Sequence, residues 1–199
     1  MATTYLRIVL FGLVAVDSIA PANAVGQTVD SHPQLVALYD FSADKGDWVR
    51  DRAGVGEPLD LRIGDIRAVG REVGSLQIRG KTIIKSAQPA DKVINAVRAS
   101  GELTVEVWCR SNKINQEGPA RLVSLSRYTT NRNFTLGQEK EAWDFRLRTT
   151  RTSTNGIPSL PASGKSVTTD LTHIVFSRDR AGQAAIYVNG KQSGHRRID

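Results

Sequence analysis

The chain has 199 residues, 40% of them hydrophobic, and 27 Lys and Arg against 20 Asp and Glu give it a formal net charge of +7. That length supports one medium domain with a real core, and a single cysteine, Cys109, excludes a disulfide framework within the chain. Arg121, Arg127, Arg132, Arg146, Arg148, Arg151 and Arg178 are scattered along predicted strands rather than gathered on one stripe, which reads as a solvated outer face and not as a nucleic-acid interface.

The N-terminus carries the marks of export. Arg7 precedes the apolar run "IVLFGLVAV", which ends at Asp17, and "PANA" sets Ala22 and Ala24 in the small-residue pattern of a cleavage site. Residues 1–24 are therefore expected to be a signal peptide, cut after Ala24, and the run is too short to cross a bilayer as a helix. Arg7 and Asp17 leave together, so the net charge stays at +7. The expected location is periplasmic, cell-surface or extracellular, with no transmembrane span in the mature chain. A polar segment, residues 25–34, then leads into a domain over residues 35–199.

The first strand of that domain reads "LVALYDF", Leu35 to Phe41. A Gly- and Asp-rich connection, "SADKGDWVRDRAGVGEP", follows, with turn chemistry at Gly46, Gly54 and Gly56. "LDLRI", "SLQIR" and "TIIKS" come next; the first two alternate apolar and polar residues as half-buried strands do. "ADKVINAVRAS" is the one convincing helix, with Val93, Ile94 and Val97 on one face, Asp91 near its start and Gly101 after its end.

The clearest alternation is "ELTVEVWCR". Leu103, Val105, Val107 and Cys109 point one way, while Thr104, Glu106, Trp108 and Arg110 point the other. Cys109 thus reads as a small buried hydrophobe. "RLVSLSR", "NFTLG", "AWDFRLRTT", "LTHIVFSR" and "AAIYV" continue the series, and Asn189-Gly190 is a two-residue hairpin signal. About ten strands with regular turns and one short helix predict an all-β domain of two packed antiparallel sheets.

Catalytic chemistry finds little support. His32 and His195 lie in terminal segments, His173 is a lone strand histidine, and no His/Cys set has zinc spacing. Glycoside hydrolysis needs two carboxyl groups about 5–10 Å apart. Glu102 and Glu106 share a face but stand roughly 13 Å apart along an extended strand. The chain is read as not an enzyme. Asp44, Asp47 and Asp51, with carbonyls freed by nearby glycines, are the candidate ligands for a calcium ion, against the alternative of ordinary turn aspartates.

These segments in order resemble a known series. "ELTVEVWCR", "LTHIVFSRD", "AAIYVNGK" and the opening "LVALYDF" with "VRDRAGVG" are similar to laminin G-like, concanavalin A-like jelly-roll domains of the exported bacterial type. Leu171 stands where that family often has tryptophan, and Asn189 replaces the usual aspartate. Family members continue past the hairpin with a returning strand and further strands. "KQSGHRRID" is expected to supply only the beginning of these, leaving the jelly roll without its last strands and open to completion by further domains or another chain.

The resemblance implies recognition of carbohydrate or of a cell-surface protein, through loops or a sheet face. The alternatives are a structural or adhesion domain of a larger envelope protein and a glycoside hydrolase of the same fold. If Trp143, Phe145 and Leu147 face the core, Asp144, Arg146 and Arg148 face outward and form a candidate ligand surface. Trp48 and Tyr128, expected near loops, offer rings for stacking.

Overall fold

The computed structural model describes residues 6–11 (backbone only), 35–42 and 45–199. In chain order the strands are β1 (Leu6–Phe11), β2 (Leu35–Tyr39), β3 (Trp48–Val49), β4 (Leu61–Ile63), β5 (Val69–Glu72), β6 (Ser75–Ile78) and β7 (Ile84–Ser86). The helix α1 (Asp91–Ser100) follows, then β8 (Leu103–Cys109), β9 (Gln116–Ser126), β10 (Arg132–Lys140) and β11 (Ala142–Leu147). The last four are β12 (Leu160–Pro161), β13 (Thr172–Arg178), β14 (Gln183–Val188) and β15 (Lys191–Arg197).

Two antiparallel sheets form the sandwich. One has six strands in the order β15-β14-β13-β8-β1-β2, the other four in the order β12-β11-β10-β9. Alternation in the sequence decides which side of each strand is inside. Val105, Val107, Cys109, Ile174, Phe176, Ala184 and Ile186 come from the first sheet, and Phe134, Leu136, Trp143, Phe145 and Leu147 from the second; all are buried in one cluster. Burying one such large side chain is worth about 1.5–3 kcal/mol, and here the inward rows of both sheets are apolar almost without interruption. Burial pushes the Cys109 thiol up to about 12, so it is inert as a nucleophile.

Smaller pieces close the sandwich. β3-β4-β7 and β5-β6 form two short sheets. Helix α1 buries Val93 and ends at Gly101, whose φ of 72° gives the left-handed cap and sends its N–H to the carbonyl of Val97. Lys92 on α1 reaches the carboxylate of Asp51 and, at 3.1 Å, the carbonyl of Val55, which ties the helix to the Gly-rich connection.

The Asn189-Gly190 turn forms as expected, with φ values of 51° and 77°. The return is fuller than the sequence suggested. Instead of only a beginning, "KQSGHRR" builds the seven-residue strand β15, paired with β14 from Val188↔Lys191 to Gln183↔Arg197. The polar row of this segment hides its strand character, because one of its faces lies outward on the sheet. At Gly194 a Cβ would meet the carbonyl of Pro161 at 2.5 Å, so glycine is what lets β15 lie against β12 and join the two sheets. Ser163 N–H donates to the carbonyl of Ser193 at 2.6 Å across that seam.

Candidate functional site

The outward face of the six-stranded sheet carries a groove. Register sets its rows. Thr104 lies beside Ser177, then Ala185, then His195; Glu106 lies beside Val175, then Tyr187, then Gln192. All of these but Glu106, which stands at its edge, line the groove of about 570 Å³ together with Glu102 and Gln183. Its lining mixes small or apolar side chains, Ala185, Val175 and Tyr187 among them, with the polar Gln183, Gln192 and His195, a combination suited to a ligand carrying both apolar and hydroxyl faces.

The third row sits beyond that groove, where Trp108 is paired with His173. Their rings are stacked, with centroids 4.1 Å apart and planes inclined by 14°. His173 Nε2 is 2.8 Å from Glu106 Oε1, and its backbone N–H donates to Asn189 Oδ1 at 2.9 Å. Asn189 thus serves both places, the turn with its backbone and the strand beside it with its side chain. Trp108 keeps 37% of its surface exposed although the His173 ring is stacked on it. An indole held rigidly in water by a histidine that is itself held by a carboxylate is a preorganised platform. The signal was present in the sequence: a tryptophan on the outward set of an alternating strand, beside Glu106. His173, read there as a lone structural histidine, is what assembles the three.

The residues singled out in the sequence are dispersed. Trp143, Phe145 and Leu147 do face the core, and Asp144 and Arg146 share the opposite face. Asp144 is only 2% exposed, and it pairs with Arg146 at 3.2 Å, while Arg146 also reaches Glu139 at 3.1 Å. Their charges are spent on each other, so Asp144 offers nothing to a ligand. Arg148 is exposed and donates to Asn131 Oδ1 at 3.1 Å. Tyr128 stands 61% exposed in the turn between β9 and β10, with the Arg127 guanidinium 5.3 Å from its ring centre. Trp48 lies on the small β3-β4-β7 sheet with the guanidinium groups of Arg50 and Arg62 at 4.8 Å and 5.7 Å from its ring centre, so cations already occupy its π surface.

Of the aspartates expected to hold calcium, the two described ones are already engaged by other groups. Asp44 lies outside the described residues. Asp51 is buried and accepts backbone N–H groups from Leu38 at 3.1 Å, Ala53 at 3.1 Å and Leu59 at 2.9 Å, in addition to the Lys92 ammonium. N–H donors and an ammonium group around a carboxylate stand where calcium's oxygen ligands would have to be. Asp47 receives Arg62 Nε at 2.6 Å, and that bond holds its carboxyl below the usual carboxylate range. Among the described residues no group of three or more His, Cys, Asp or Glu is placed to hold a metal ion. None of their helices is long and apolar enough to cross a membrane.

Searches of curated proteins and of solved structures found no match. Residues 86–198 match a laminin G-like family described as the concanavalin A-like lectin/glucanases superfamily. The match runs from β7 through β15 and takes in every strand that builds the groove and the Trp108–His173 pair. With its two-layer antiparallel architecture and more than half of its length matched, the chain belongs to the concanavalin A-like lectin/glucanase superfamily, in its laminin G-like branch.

Proposed function

We propose that this chain is a non-catalytic recognition module of an exported protein, binding a saccharide across the outward face of the six-stranded sheet. The observation that carries this reading is the Trp108–His173–Glu106 group, an exposed ring fixed beside the groove. A sugar presents an apolar face of C–H groups and a rim of hydroxyls. Trp108 meets the first and Glu106 borders it, while Gln192 and His195, three strands away on β15, meet the hydroxyls of further units of an oligosaccharide.

Membership in a superfamily of lectins and glucanases supports carbohydrate as the ligand, and the arrangement of carboxylates supports binding without turnover. Glu106 is engaged by His173, and Glu102, four residues away along the extended chain, lies roughly 13 Å from it, beyond the separation that glycoside hydrolysis uses. The leader-like N-terminus supports export.

A glycan array with the full chain, repeated with Trp108→Ala, tests the reading. The expected result is binding to a defined saccharide set, weakened by about tenfold or more in the variant, which corresponds to about 1.4 kcal/mol. Equal binding by both proteins would remove Trp108 from the site, and turnover of a chromogenic glucan would replace the binding module by a hydrolase.

A further inference from the structure

We infer that the outer face of the four-stranded sheet, on the opposite side of the sandwich, holds an oxyanion at Arg132 and Arg121. Arg132 opens β10 and is 3% exposed. Its Nη2 donates to the carbonyl of Thr129, but Nε and Nη1 are buried with no hydrogen-bond partner. Arg121, on β9, sends its own Nη2 to that same carbonyl at 3.0 Å. Two guanidinium groups therefore converge on one oxygen of the β9–β10 turn.

The neighbours do not relieve them. Arg146 lies one strand away, where the register sets it beside Thr135. Burial first, then repulsion from Arg121 and Arg146, pulls the Arg132 guanidinium below its ordinary range, and the pull of Asp144 offsets this only in part. Asp144 is already paired with Arg146, and Glu139 is drawn to Arg146 as well. Three cations against two carboxylates leave one positive charge in excess, and each orphaned buried donor destabilises the fold. An oxyanion seated here removes both penalties. Sulfate, phosphate and carboxylate share the needed chemistry, a compact negative charge with several acceptor oxygens. Arg121 and Thr129, whose carbonyl both guanidinium groups share, are exposed at the edge of the site, and the exposed ring of Tyr128 adjoins Thr129. A saccharide bearing the anion could therefore rest on that ring.

Thermal melts of the full chain test the site, using sodium sulfate, sodium chloride at equal ionic strength, and a sulfated disaccharide with its unsulfated counterpart. Sulfate is expected to raise Tm saturably where chloride does not. Arg132→Met is expected to fold and lose that saturable rise, since an apolar side chain removes the orphaned charge. Should it fail to fold, Arg121→Met on the exposed edge is expected to weaken the response at least fivefold in midpoint concentration. Tighter binding of the sulfated disaccharide than of sulfate, with the unsulfated sugar silent, identifies a saccharide-borne anion; equal binding identifies the free ion, and both support the site. Indistinguishable melts in sulfate and chloride, or a native response from the variant that folds, would overturn it. Glycan binding at Trp108 lies on the other sheet, so either result stands apart from that reading.

Discussion

Phe145 of one sheet lies flat on Phe176 of the other, with ring centroids 3.5 Å apart and planes within 2° of parallel. Phe134 continues the stack behind Phe145 at 5.8 Å. This aromatic column joins the two layers at the centre of the core, where all three side chains are buried. Phe176→Ala leaves a cavity that the flanking strands cannot close without breaking their ladders. The expected loss is about 3–5 kcal/mol, read as a lower midpoint of urea unfolding at unchanged m. A loss under 1 kcal/mol would show that the layers are held elsewhere.

Asp51 is expected to behave as a structural latch. Its carboxylate satisfies three backbone N–H groups from β2 and the Gly-rich connection and also holds Lys92 of α1. Asp51→Ala strands those buried donors and leaves Lys92 without its anion, so a loss of about 3–5 kcal/mol is expected. Adding EDTA to the native protein is expected to leave Tm unmoved. A fall in Tm on chelation would return calcium to this loop.

How far the sequence reached depends on which forces decide each feature. The core rows were legible because alternation on β8, β11, β13 and β14 is dictated by burial, and burial is written in residue type. Trp143 and Phe145 inward with Asp144 and Arg146 outward followed from period two alone. What alternation does not carry is the fate of the outward row. Asp144 and Arg132 read as solvated, yet both are buried, because long arginine side chains lie across the outer face and cover it. Arg178 likewise read as solvated; it is half-buried and donates to the carbonyls of Ile198 at 2.8 Å and Gly101 at 2.7 Å. The Trp108–His173–Glu106 group spans two strands separated by more than sixty residues, so only the pairing register brings it together. β15 was underestimated for a related reason: with polar residues dominating, its pairing comes from the turn and from β14, not from its own composition.

Acid should weaken the fold through Asp47 and Asp60. Burial works against ionisation of Asp60, but the N–H of Asp51 at 2.9 Å and the Arg50 guanidinium at 2.5 Å outweigh it and hold its carboxyl below the usual range. Asp47 is held down by Arg62. The unfolded chain then binds more protons than the folded one in this region, so stability rises with pH through it. The contribution is fully present above the unfolded carboxylate value of about 4 and disappears as pH falls through the folded values. Asp60→Asn is expected to flatten the acid limb of a stability profile between pH 2 and 6. A limb as steep as that of the native protein would assign the effect to other carboxylates.

The N-terminal run poses a sharper question, because the fold and the proposed leader draw on the same residues. β1 lies between β8 and β2, antiparallel to both, pairing from Leu6↔Cys109 to Phe11↔Thr104 on one side and from Ile8↔Tyr39 to Phe11↔Leu35 on the other. Among the described residues, β2 reaches the rest of its sheet through that strand alone. Cleavage after Ala24 would leave a slot with unpaired N–H and C=O groups on both walls, the condition under which a sheet accepts a strand from elsewhere. A chain beginning at Val25 is therefore expected to unfold with a broadened, lower transition than the full chain, and to recover a cooperative one when a synthetic peptide of sequence LRIVLF, made soluble by terminal lysines, is added. Matching melts for the two chains without peptide would show that the slot closes by itself, and β1 would then contribute nothing to the stability of the sandwich.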